Sequence, residues 1–379
     1  RKSSTRAACT RMSRRRQAKA PLLSASTKAS LLALAAAAAV AWAVLWRETA
    51  ATERVPPSHE RRSRSEPDES RRSRSEPSRA AKPVPTCFDK DPARCASMRA
   101  SCKDSPGWMF VNCAATCNAC EMLDPAVRCR LDRFNQTSGL PEGGLDALFE
   151  RMIQTADGQV EVLSRPPDGP WIVTIDGFLS DAQMEALVTT TMGKMERSTD
   201  DGAVSADGEV AKEVSSRRTS SNAWCMAGCE ADRHVRALSG RIEALTGISR
   251  QHYEQYQVLR YDPSQRYVRH HDYVPRPGQT FAEPHGPRVL TVFLYLSDVE
   301  SGGETAFTDL SPPIAILPKR GRALVWPSVL ADDPTTQDAR THHEARPVGR
   351  GVKLAANTWI HLHDYRLPNL WGCTGAFEG

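Results

Sequence analysis

The stretch 257–273, QVLRYDPSQRYVRHHDY, carries three consecutive residues able to bind a metal: His270, His271 and Asp272. In an extended chain residues two apart share a face, so His270 and Asp272 point one way and His271 the other. An imidazole and a carboxylate on one face supply two of the three ligands of a 2-His-1-carboxylate iron site, which leaves positions open for oxygen and an organic acid. Further on, THHEARPVGRGVKLAANTWIHL offers His342 and His343, then Lys353 in a strand-like run. Alternation groups Lys353 with Asn357 and Trp359, and puts Val352, Leu354, Ala356, Thr358 and Ile360 on the other face. A lysine turned into a cavity beside a tryptophan needs an anionic partner.

These residues need a scaffold of strands. PWIVTIDGFL reads as a strand, SDAQMEALVTTTM as a helix capped by Ser180 or Asp181, and ADRHVRALSGRIEALTG as a second helix ending at Gly247. Strand-like runs follow at 255–261, 289–296, 323–326 and 352–362, separated by Gly, Pro and Asp loops. Helices followed by many short strands give an α+β class, a β-sandwich or jelly roll flanked by helices.

From about Trp171 to Cys373 the chain resembles the catalytic domain of prolyl 4-hydroxylases, particularly the algal and plant type. The resemblance is carried in order by RTSSNAW (218–224), QVLRYDPSQRYVRHHDY (257–273), PRVLTVFLYLSDVESGGETAF (287–307), a distal His with Lys ten residues later, and KLAANTWIHL (353–362). It implies a double-stranded β-helix catalytic domain over 166–379 that uses Fe(II), 2-oxoglutarate as cosubstrate, and ascorbate. It implies iron ligands His270, Asp272 and His343, the last chosen over His342 by its ten-residue spacing to Lys353. It places the distal carboxylate of 2-oxoglutarate on Lys353, with Tyr261 and Thr305 as hydrogen-bonding helpers, and lines the peptide groove with Arg288 and Trp359. The implied reaction is the 4-hydroxylation of peptidyl proline with O2 and 2-oxoglutarate, giving succinate and CO2, on a proline-rich or collagen-like polypeptide. Two departures from the family pattern concern the substrate loop more than the iron site: Arg269 stands where a Pro commonly precedes the first ligand, and HEARPV follows the distal His.

Eleven cysteines, six of them within 87–120, have the density of a disulfide scaffold. Six cysteines allow fifteen pairings. The segment resembles a ShK-toxin-like (ShKT) module, and that resemblance implies Cys87–Cys120, Cys95–Cys113 and Cys102–Cys117. Thirty-four residues cannot build an adequate core, so bridges must hold the module. A zinc site at Cys117 and Cys120 is the competing reading. Cys225 could pair with Cys229, and Cys129 with Cys373.

Residues 1–80 hold 18 Lys/Arg against 7 Asp/Glu, and the rest 32 against 38, so the body has no nucleic-acid footprint. Residues 29–46 are uncharged and follow a basic segment, 1–28, which reads as a cytoplasmic tail before a transmembrane signal anchor. A cleaved signal peptide is the alternative. Residues 47–86, with a direct ten-residue Arg/Ser repeat, read as a disordered stem, and 121–165 as a connector carrying an Asn135-Gln136-Thr137 sequon. These features predict a single-pass type II protein of the endoplasmic reticulum or Golgi membrane, with its catalytic domain lumenal and the module separated from the catalytic residues by the connector. Two other functions fit parts of the pattern: a lysyl or other 2-oxoglutarate-dependent hydroxylase, and a catalytically silent ShKT binding protein. Lysyl hydroxylases typically carry Arg where this chain has Lys353. A zinc hydrolase would need an HExxH arrangement, which the sequence lacks.

Overall fold

The computed structural model describes residues 86–204, 210–273 and 283–374. Its main sheet has eight strands among these residues, in the spatial order Gln159–Ser164, Ile172–Asp176, Ala323–Pro327, Arg288–Tyr295, Lys353–His361, Gln257–Tyr261, Ser221–Trp224 and Glu196–Arg197. Every neighbouring pair is antiparallel. A smaller antiparallel sheet runs Ile314–Ile316, Thr305–Phe307, His343–Ala345 and Tyr267–His270.

The strand pleat sorts side chains between two cores. On one side of the main sheet, Leu290, Val292, Leu294, Val325, Val258, Ala356 and Ile360 pack with Phe149, Leu187, Leu238 and Ile242 from three helices. Each such fully buried Leu, Ile or Phe contributes about 1.5–3 kcal/mol. On the other side, Leu259, Tyr261, Phe293, Tyr295, Leu324 and Trp326 meet Phe307, Ile316 and Ala345 of the small sheet. Two sheets enclosing one interior, with helices on the outer face of the larger, make a jelly-roll-like fold.

The helices start and stop where the sequence provides caps. Asp181–Thr191 opens on a reciprocal box in which Ser180 and Gln183 each accept from the other's backbone N–H. Arg233–Thr246 opens on Asp232, whose carboxylate accepts from His234 and Val235, and closes at Gly247 with φ of 68°.

The Cys-rich module carries the helices Pro92–Ser97 and Pro106–Asn112. Its bridges are Cys87–Cys120, Cys95–Cys113 and Cys102–Cys117, and two further bridges join Cys129 to Cys373 and Cys225 to Cys229. With all six module cysteines in disulfides, the zinc reading of Cys117 and Cys120 falls.

The structure differs from the expected boundaries in two places. Residues 121–165 are more than a connector: the helix Gly144–Thr155 buries Leu145, Leu148, Phe149 and Met152 in the outer core, and Gln159–Ser164 is the edge strand of the main sheet. The ring of Phe149 stacks on Trp171, whose Nε1 donates to Asp146 at 2.6 Å. The membrane placement is also corrected. Among the described residues no helix is long and apolar enough to cross a membrane; the Arg233–Thr246 helix has 14 residues and one polar face, against about 20 apolar residues for a span. The expected tail, the anchor at 29–46 and all but the last residue of the stem lie outside the described residues.

Candidate metal centre and its acid pocket

His343 and His270 are direct partners in the antiparallel pairing of their strands. Their rings lie 4.3 Å apart, and Asp272 follows two residues beyond His270. The Asp272 carboxylate comes within 4.0 Å of His270 Nε2 and 3.7 Å of His343 Nε2. One ligand atom from each of the three falls within 4.8 Å of the others, the only such group among the described residues. His271 turns to the opposite side, against the Asp338 carbonyl and Thr341 hydroxyl, and His342 packs on His271.

Both candidate histidine ligands are fixed in one tautomer. Nδ1 of His270 donates to the Val268 carbonyl at 2.9 Å, and Nδ1 of His343 to the Thr341 carbonyl at 3.0 Å. Each Nε2 therefore keeps its lone pair for a metal. Tyr267 stacks on the His270 ring at 3.6 Å, and Trp326 meets the His343 ring edge-on at 4.8 Å. Burial, reinforced by the neighbouring His343, pushes His270 well below its ordinary value. Burial alone would raise Asp272, but His343, His270 and the Thr291 hydroxyl hold it at about 2. Thr291 donates to Asp272 at 2.7 Å. Two imidazole nitrogens and one carboxylate that converge in this way are a donor set that suits a divalent iron with open positions.

Lys353 is fully buried on the same interior face. Its Nζ donates to the Gly303 carbonyl at 2.8 Å and sits 5.3–5.6 Å from the rings of Tyr261, Phe293 and Tyr295. Phe293 touches Trp326, and Trp326 touches His343, so the ammonium and the histidines line one interior. Burial drops Lys353 to about 7, and no carboxylate among the described residues comes within ion-pair distance of it. Tyr261 is its direct strand partner. Thr305 accepts from the Tyr295 hydroxyl at 2.8 Å, which leaves its own proton to donate elsewhere. Nδ2 of Asn357 and Nε1 of Trp326 and Trp359 are buried without an acceptor among the described residues. A buried cation whose charged neighbour, Glu304, stays beyond ion-pair distance, together with spare donors, fits an organic acid bound beside the metal.

Arg288 and Trp359 come together: the guanidinium lies over the indole at 3.7 Å. A buried carboxylate, Glu254, accepts from Arg288 Nε at 2.6 Å and Nη2 at 3.2 Å, and lies 2.8 Å from His361 Nε2. Sequence reasoning did not find Thr291, Glu254 or His361. For Thr291 a signal existed, a polar residue at an inward position of an otherwise apolar strand. Glu254 gives none, because its partners lie 34 and 107 residues away.

Residues 256–361 match the 2OG-Fe(II) oxygenase superfamily. The chain is 32% identical over 236 residues to probable prolyl 4-hydroxylase 3 of Arabidopsis thaliana, covering 58% of this chain and 77% of that one. It is 32% identical over 194 residues to the prolyl 4-hydroxylase subunit alpha-2 of Gallus gallus, covering 51% of this chain and 34% of the subunit. Among solved structures, a viral collagen prolyl hydroxylase from Paramecium Bursaria Chlorella virus-1 aligns at 27% identity with a TM-score of 0.39, over 52% of this chain and 99% of that one.

Proposed function

On the premise that the chain belongs to the prolyl 4-hydroxylase family of Fe(II)- and 2-oxoglutarate-dependent dioxygenases, we propose that it 4-hydroxylates prolyl residues in a proline-rich polypeptide. The observation that carries this reading is the convergence of His270, Asp272 and His343 in one interior with a buried Lys353 that makes no ion pair among the described residues. In our assignment the two Nε2 atoms and the Asp272 carboxylate hold the iron. Lys353 takes the far carboxylate of 2-oxoglutarate, with the Thr305 hydroxyl donating beside it and Tyr261 walling the pocket. When bound, Fe(II) and 2-oxoglutarate supply the activation of dioxygen that amino-acid side chains cannot.

The chain's own contribution is position and dryness. Nδ1 contacts hold both imidazoles in the ligating tautomer, Thr291 aims Asp272, and aromatic rings exclude water from around Lys353. Arg288 stacked on Trp359 would offer a flat apolar wall and a donor edge to an extended peptide. A polyproline II segment suits such a groove, since it is already extended and loses little entropy on docking.

The test is to incubate the chain with a proline-rich peptide library, Fe(II), 2-oxoglutarate and ascorbate, and to locate added oxygen by mass spectrometry. Oxygen on proline that disappears in His270→Ala supports the reading. Turnover of 2-oxoglutarate with no peptide oxidised would count against it.

A further inference from the structure

The Cys-rich module is seated directly on the turn that follows the Lys353–His361 strand. A Cβ built on Gly107 would lie 2.7 Å from the Leu370 carbonyl oxygen and 2.8 Å from Gly372 N, so the two backbones touch. Phe110 from the module and Phe134 from the following segment both meet the Trp371 ring edge-on, at 5.5 and 5.7 Å. The Cys129–Cys373 bridge closes the same cluster covalently. The turn after the Arg366–Leu370 helix is thus held by the module, by two aromatic rings and by a disulfide.

From that turn, contacts run without a gap to Arg288. Tyr365 caps the Arg366–Leu370 helix, and its N–H donates to the Gln251 carbonyl at 2.8 Å. Its ring stacks on His361 at 4.9 Å. His361 meets Glu254 at 2.8 Å, Glu254 grips Arg288 through two bonds, and Arg288 lies over Trp359. Tyr365, His361 and Glu254 are all buried, so water cannot substitute for a lost partner. Tilting the turn moves Tyr365, and His361, held otherwise by the Gly286 carbonyl and the His285 ring, then loses its stacked partner.

We propose that the Cys-rich module positions the peptide groove, with Gly107, Phe110 and Trp371 as positioning residues that act through Tyr365, His361 and Glu254 on Arg288 and Trp359. The inference rests on the reading of Arg288 and Trp359 as groove residues. It assigns the module an effect on peptide binding that leaves 2-oxoglutarate binding alone, because Lys353 lies at the other end of its strand, away from the turn.

Two full-chain variants test it. Gly107→Ala puts a methyl where the backbones touch, inside a module that keeps its three bridges, and Trp371→Leu removes the ring that Phe110 and Phe134 clasp. Both should raise the peptide KM at least about fivefold and leave the 2-oxoglutarate KM within about twofold. Hydrogen exchange is the second readout. The amides of Leu362 and His363, bonded to the Pro287 and His285 carbonyls, should exchange about tenfold faster, while those pairing Val173 with Val325 stay unchanged. Combined with Glu254→Gln, Gly107→Ala should raise the peptide KM by less than about twofold more, since both act along one path. An unchanged peptide KM, exchange quickened everywhere, or effects that multiply in full overturns the proposal. A wild-type chain that turns over no peptide would defeat the functional reading instead, and the exchange comparison then decides the path by itself.

Discussion

His343 sits directly opposite His270 in the small sheet, ring against ring at 4.3 Å, so strand register decides which of two adjacent histidines faces Asp272. A slip of one residue would turn His343 outward and bring His342 in.

The first expectation follows from that register. His343→Ala should abolish Fe(II) binding and 2-oxoglutarate turnover, whereas His342→Ala keeps most of both, because His342 packs on His271 and bonds the Ala339 carbonyl. Metal titration of the two variants side by side reads this directly, and the reverse ranking would refute the assignment.

On the proposed assignment, Lys353→Ala leaves a carboxylate of the bound acid unpaired in a buried site. Breaking such a pair costs about 3–5 kcal/mol, at least about a hundredfold in 2-oxoglutarate affinity. The same residue sets a pH dependence. Burial lowers ligand-free Lys353 to about 7, and an anionic ligand raises it again, so binding takes up a proton above that pH. Affinity should be level below pH 7 and fall by up to about tenfold per unit above it. Calorimetry in two buffers of different ionisation heat should show little proton uptake at pH 6 and about one proton at pH 8.

Thr291→Val removes the hydroxyl that donates to Asp272 at 2.7 Å while keeping a β-branched side chain in the strand. Iron affinity should fall about 10–100-fold, the usual effect of losing an outer-shell partner. Equal affinities in equilibrium dialysis would remove Thr291 from the site.

Much of the site was legible because its signals are local. His270 and Asp272 stand two apart, the first closing the strand Tyr267–His270 and the second just beyond it, and Lys353 falls on the inward phase of the strand Lys353–His361. Both helices that back the main sheet were bounded by their own caps, Ser180 and Gly247. What was missed depends on distant partners. Asp272 meets Thr291 across 19 residues and Glu254 meets His361 across 107, and no window of sequence shows either. The connector is a different failure: Leu145, Leu148, Phe149 and Met152 recur at the spacing of one helical face, so the helix was readable and was passed over within a polar stretch.

Glu254 makes the fold sensitive to acid. Burial alone would raise its carboxyl, but Arg288 and His361 hold it at about 2, against 4.5 for a free side chain. A depressed carboxylate contributes stability that is complete above its unfolded pKa and is lost as pH falls towards its folded one. Glu254→Gln should cost about 3–5 kcal/mol at pH 7 by leaving Arg288 buried and unpaired. The gap to wild type should narrow between pH 4.5 and 2. Urea midpoints of both proteins at pH 7, 4 and 3 would expose a gap that does not close.

The most direct measurement of the central claim offers the chain matched extended peptides, one set with prolines and one with lysines in place of them, with Fe(II) and 2-oxoglutarate, and maps the added oxygen by fragmentation mass spectrometry. We expect one oxygen on the prolyl ring at C4, equimolar succinate, and neither product from His270→Ala. Oxygen on lysine and none on proline would contradict the assignment of a prolyl hydroxylase.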